Sequence, residues 1–73
     1  MTLIRLIPVD SDALTAIGYD AATRTLRLRF ETGGLYDYFD VPSEVYAGLR
    51  DDEHPWTTWG EHITSSYEYD RLQ

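Results

Sequence analysis

Two histidines and a group of carboxylates carry the most reactive chemistry in this chain. His54 and His62 lie close in sequence to Asp51, Asp52, Glu53 and Glu61, and imidazole with carboxylate is metal-ligand chemistry. Their spacing fits no zinc motif, no H-E-x-x-H is present, and Asp51-Asp52-Glu53 reads as a solvated acidic turn. The chain has no cysteine, which removes disulfides and thiolate metal sites. Asp51-Asp52 has the carboxylates for acid–base work, yet no nucleophile or oxyanion signature accompanies it, and Ser65-Ser66 has no context for activation. The expectation is a protein with no catalytic residue, no metal and no cofactor.

The aromatic residues point elsewhere. Tyr19, Tyr36, Tyr38, Tyr67 and Tyr69 suit a platform on a sheet, where bases stack at ~1–3 kcal/mol each. They suit equally a small core whose hydroxyls reach water or a carbonyl. Arg27 and Arg29 fit phosphates beside such a platform, or else face Asp37 across neighbouring strands. Trp56 and Trp59 are of the type enriched at binding hot spots, and also suit closing a helix over a sheet. A small core rarely hides two tryptophans fully, and Trp56 is the one expected to be exposed.

These side chains must be positioned by a short list of elements. Thr25–Phe30 is the clearest strand, with Leu26, Leu28 and Phe30 on one face and Arg27 and Arg29 on the other. Thr32-Gly33-Gly34 returns the chain as a hairpin. In Leu35–Phe39 both faces are apolar, so periodicity does not choose between Tyr36/Tyr38 and Leu35/Phe39. Upstream, Met1–Val9 reads as an edge strand ending at Pro8, and Asp10-Ser11-Asp12 as a polar turn. Ala13–Tyr19 is a second strand in which Gly18 signals a bulge or a close backbone approach. Asp20–Arg24 links it to the third, with its geometry left open.

Downstream, Val41-Pro42 ends the sheet, with proline suited to the first helical position. Val41, Val45 and Leu49 then form one stripe of a short helix, with Glu44 and Arg50 matching its dipole. Pro55 opens a second helix carrying Trp56, Trp59 and Ile63 on one face, and Tyr67-Glu68-Tyr69 adds a last alternation. The fold class is α+β: a small antiparallel β-sheet of three to five strands covered by one or two short helices.

Seventy-three residues allow one domain, 1–73, with a modest core. No apolar run approaches the ~20 residues of a membrane span, and nothing at the start resembles a signal peptide, so a cytoplasmic protein without a membrane partner is expected. Six basic against thirteen acidic residues give a net charge of −7, with no lysine. Nucleic-acid binders usually show a basic footprint. Acidity on this scale keeps a small protein soluble, or draws it to a basic protein partner as an interaction or inhibitor protein that imitates nucleic acid.

The pattern as a whole resembles the KTSC domain, a small module named for its occurrence at the C-terminus of some lysyl-tRNA synthetases. The resemblance runs without gaps from Val9 to Leu72 and rests on Ser11, Ile17-Gly18-Tyr19-Asp20, Leu26, Leu28, Phe30, Gly33 or Gly34, Tyr36-Asp37-Tyr38, Val41-Pro42, Val45-Tyr46, Ile63 and Tyr67-Glu68-Tyr69-Asp70-Arg71-Leu72. It implies a small α+β fold and a role in binding RNA. The chain departs from the family pattern at His54-Pro55-Trp56-Thr57-Thr58-Trp59-Gly60, where only Trp59 keeps the aromatic character. Where relatives tend to be basic it has Thr64, Ser65, Ser66 and Asp70, and Arg71 alone keeps its charge. The candidate binding residues are therefore Tyr19, Arg27, Arg29, Tyr36, Tyr38, Trp56, Trp59 and Arg71. The partner is RNA if the family rules, and a basic protein if charge does. The oligomeric state is left open.

Leu28 sits at the centre of the clearest strand. Leu28→Ala is expected to cost ~2–5 kcal/mol, and Arg27→Ala, on the opposite face, well under half of that. Denaturation midpoints of the two variants check the assignment; equal losses would mean the faces are reversed.

Overall fold

The alternation in Thr25–Phe30 becomes the central strand of a sheet. The structure, a computed structural model, describes residues 4–11 and 13–73. In chain order it runs β1 (Ile7–Pro8), β2 (Leu14–Asp20), β3 (Thr25–Phe30), β4 (Leu35–Tyr38), α1 (Ser43–Asp51), α2 (Pro55–Ser66) and β5 (Tyr69–Arg71). The five strands form one sheet in the order β1-β2-β3-β4-β5, every neighbour antiparallel. The architecture is α+β. Among the described residues no helix is long and apolar enough to cross a membrane.

β1 ends at Pro8, which pairs with Ala16; the expected contributions of Leu3 and Asp12 lie outside the described residues. β2 starts and ends one residue later than Ala13–Tyr19. Its register against β3 shifts between Leu14 and Ala16, and a Cβ on Gly18 would stand 2.5 Å from the Arg5 carbonyl oxygen. The close approach signalled by the glycine is there, and the bulge lies just upstream. The β2–β3 link is a tight turn: the Asp20 carboxylate accepts the Ala22 N–H at 3.1 Å and the Thr23 hydroxyl at 2.8 Å.

The β3–β4 hairpin decides what the site is made of. Gly33 takes φ 94°, a left-handed conformation that glycine adopts without steric cost. The Phe30 N–H then donates to the Gly34 carbonyl at 2.9 Å, and the Gly33 N–H to the Phe30 carbonyl at 2.9 Å. The resulting register places Tyr38 opposite Leu26, Asp37 opposite Arg27 and Tyr36 opposite Leu28. Tyr36 and Tyr38 therefore share the face of Leu26 and Leu28, a choice the sequence left open.

That face is covered by the helices. Pro42, expected as the first helical residue, is instead the N-cap of α1, which starts one residue later at Ser43, and Val45 and Leu49 turn inward. α2 opens on Pro55 and buries Ile63. Along its last turns, side-chain hydroxyls bond back to the helix: Thr64 Oγ1 to the Gly60 carbonyl at 2.9 Å, Ser65 Oγ to the Glu61 carbonyl at 2.6 Å. The core joins Leu14, Ile17, Leu26, Leu28 and Tyr38 from the sheet to Val41, Val45, Leu49 and Ile63. Tyr67 is the C-cap of α2, so the final strand is Tyr69–Arg71 and not the expected Tyr67–Tyr69.

The opposite face carries a paired charge. Arg27 Nε and Nη2 donate to the two Asp37 carboxylate oxygens at 2.7 and 2.9 Å, and Asp37 is only 8% exposed. This hydrogen bonding raises the Arg27 pKa above its ordinary value, with burial opposing it. Asp70 of β5 lies directly across from Asp37, so removing Arg27 would leave two carboxylates opposed, one of them shielded from water. Sequence alone therefore underrates Arg27. Arg27→Ala is now expected to lose about 1–3 kcal/mol, and adding Asp37→Ala should return part of that loss. Urea midpoints for the two single variants and the double one measure the coupling; strict additivity would show that the pair contributes nothing.

Candidate binding cleft

Three of the candidate residues converge with two others. On the helix side of the sheet, β4 and β5 face the Trp56 and Thr64 side chains of α2 across a shared cleft. Tyr38 pairs there with Tyr69, and Tyr36 with Arg71. The rings form a continuous surface: Tyr36 and Tyr38 lie 6.4 Å apart and nearly parallel, and Tyr69 is 5.7 Å from Tyr36 and 5.5 Å from Tyr38. Phe30, at the end of β3, stands edge-on to Tyr36 at 5.4 Å and to Trp56 at 4.9 Å. Trp56 lies back along its own helix over Gly60, where a Cβ would come within 2.9 Å of the indole.

Between these rings is an open cleft of about 440 Å³, lined by Phe30, Thr32, Tyr36, Tyr38, Trp56, Thr64 and Tyr69. Among the described residues, no charged side chain lines it. Tyr69 is 55% exposed, while Tyr38 is almost wholly covered at 3%; Trp56 is half-buried, less open than its sequence context suggests. Arg71 stands at the margin, its guanidinium carbon 5.6 Å from the centre of the Tyr36 ring.

The other candidates are placed elsewhere. Tyr19 stacks on Tyr46 at 5.3 Å and donates its hydroxyl to the Val41 carbonyl, so it braces α1 against the sheet. Trp59 lies flat on Gly48 of α1, where no side chain could be accommodated. Arg27 and Arg29 point away from the tyrosines, because their partners across β4 are Asp37 and Leu35. The arrangement of two arginines gripping phosphates beside a tyrosine platform is therefore not formed. Tyr67 leaves the platform too, its ring edge-on to His62 at 5.6 Å. Among the described residues, no three of His, Asp and Glu come together as metal ligands. In the acidic connector, Asp51 accepts hydrogen bonds from Arg50, which lower its pKa, and Asp52 accepts the His54 N–H at 2.8 Å.

Sequence reasoning placed Phe30 only in the core and passed over Thr64. The available signal for Phe30 was its position: last on the apolar face of β3 and next to the turn. Thr64 stands where relatives tend to be basic, and only the path of α2 brings it to the rings.

Comparisons with known proteins agree with this geometry. The family model described as the KTSC domain matches residues 10–70. A KTSC domain protein from Yersinia pestis has the same fold, with a TM-score of 0.86 over 97% of this chain and 100% of that one at 24% identity. A protein from Tsukamurella paurometabola is 50% identical over 42 residues, covering 58% of this chain and 63% of its own length. A lysine–tRNA ligase from Nostoc sp. is 28% identical over 67 residues, 92% of this chain but 12% of the ligase. The chain thus spans less than two thirds of the length of either relative.

Burial raises the pKa of Tyr38, with the neighbouring Tyr36 and Tyr69 adding to the effect. Below the ordinary tyrosine value of about 10, folded and unfolded chains both keep the proton and the contribution of Tyr38 is complete. Above it the unfolded chain ionises first, so stability falls until the folded Tyr38 also ionises. Urea midpoints measured from about pH 8 to 11 should fall less steeply for Tyr38→Phe than for the parent, and superimposable curves would contradict this account.

Proposed function

The chain belongs to the KTSC domain family, and on that premise we propose that it is a non-catalytic binding module whose ligand seats in the aromatic cleft and is carried by a basic protein. One observation supports this reading above the rest: five aromatic side chains surround one open cleft with no charged residue in its lining. Such rings supply contact area at low entropic cost, while the net charge of −7 favours a cationic partner at long range.

RNA is the second reading, favoured by the match to a segment of a lysine–tRNA ligase. Exposed rings stack bases well, but backbone binding needs several free cations. Arg24, Arg27 and Arg50 each stand within salt-bridge distance of an aspartate, and Arg71 alone adjoins the rings.

Titration of isotopically labelled protein with a short basic peptide, and separately with single-stranded and hairpin RNA, distinguishes the two. The peptide should shift the Trp56 indole N–H and the ring signals of Tyr36 and Tyr69 in a salt-dependent way, with RNA inert near physiological salt. Sub-micromolar RNA binding that is lost on Tyr69→Ala would overturn the basic-partner reading in favour of RNA.

A further inference from the structure

We infer that the aromatic cleft is a guanidinium receptor: the group it takes from a basic partner is an arginine side chain, laid flat among the rings. The inference rests on the proposal that the cleft is the binding seat, and adds what chemical group enters it.

The molecule already contains the contact in miniature. Arg71 places its guanidinium carbon 5.6 Å from the Tyr36 ring centre at the margin of the cleft, and Arg50 makes the same contact with Tyr46 at 5.8 Å. Both use the attraction of a cation to the negative face of an aromatic ring. The cleft offers more of that surface in one place, since Tyr36, Tyr38 and Tyr69 lie mutually within 6.4 Å and Trp56 closes the far side against Phe30. Recognition there runs through π faces, because the lining holds no acid.

Among the polar groups of the lining, which include Thr32 and the tyrosine hydroxyls, Thr64 has the complementary character. Thr64 Oγ1 spends its proton on the Gly60 carbonyl at 2.9 Å, which leaves the oxygen as an acceptor. Guanidinium is donor-only, with five N–H groups and no acceptor. A nucleobase presents both donors and acceptors and arrives with phosphates, which the −7 net charge repels. A lysine ammonium is donor-only as well, but it is compact and strongly hydrated, whereas guanidinium is planar, weakly hydrated and stacks on rings. Flat geometry and cheap desolvation both favour arginine.

Arg71 then has a second role, as an internal competitor for the exposed side of Tyr36. A partner arginine must displace it or share the ring with it, and the apparent affinity is reduced by the fraction of time Arg71 holds its place.

The test uses three capped peptides of one neutral sequence, with arginine, lysine or citrulline at the central position, titrated into the labelled full chain. The arginine peptide should bind ~10-fold more tightly than the other two, with the largest shifts at the Trp56 indole and at Tyr69. Tyr69→Ala should weaken it, and because Tyr69 is 55% exposed this variant keeps the fold. Arg71→Gln should tighten binding ~2- to 5-fold, while Arg50→Gln, which removes the same charge elsewhere, should not. Equal affinity for arginine and lysine peptides at the cleft would overturn the guanidinium assignment and leave the binding module standing. Shifts caused by RNA at these rings, with all three peptides inert, would overturn both.

Discussion

Everything at the cleft depends on how β4 is registered against β3, and the Arg27–Asp37 pair is the interaction that pins it. A strand has a side-chain period of two, so a slip by one residue would send Tyr36 and Tyr38 to the far face and bring Asp37 into the core. Apolar residues alone do not forbid that slip, because Leu35 and Phe39 would take the places of the tyrosines. The bidentate bond between the guanidinium and a carboxylate that is almost wholly shielded opposes it, since a one-residue slip takes Asp37 off the face it shares with Arg27. The Gly33 turn fixes the loop length and the ion pair fixes the facing.

The same pair explains why the two faces of the sheet have such different chemistry. Arg27 and Asp37 neutralise each other on one side, and no tyrosine shares that side with them. On the other side the helices cover the sheet's centre through Val45, Leu49 and Ile63. At the β4–β5 margin the residues on that side are aromatic, and the cleft lies between them and Trp56 and Thr64 of α2.

Much of this was legible in the residues. β3 was readable to the residue, because its alternation is strict and its charges are both arginine. The stripe of Val45 and Leu49 and the helix-opening Pro55 were readable for similar reasons. Facing was not legible for β4, where both faces are apolar and only the partner strand decides. The last strand was displaced because Tyr67-Glu68-Tyr69 alternates like a strand, while the helix runs on to Ser66 and Tyr67 caps it through its N–H to the Ile63 carbonyl. The residue types of the site were legible and their grouping was not. Tyr19 and Trp59 look like Tyr36 and Trp56 in sequence, and they differ only in what stands opposite: the Tyr46 ring and Gly48 for the first pair, the cleft for the second.

The order of the strands also bears on how this chain avoids joining others into fibrils. The segments with the strongest β-forming character, Thr25–Phe30 and Leu35–Tyr38, lie inside the sheet with a neighbour on each side. The margins are left to a two-residue strand ending in Pro8, which has no amide hydrogen to offer, and a three-residue strand carrying Asp70 and Arg71. Short, charged or proline-bearing margins make poor templates for strand addition. A protein so rich in tyrosine and leucine therefore exposes to other copies of itself the parts least able to recruit them.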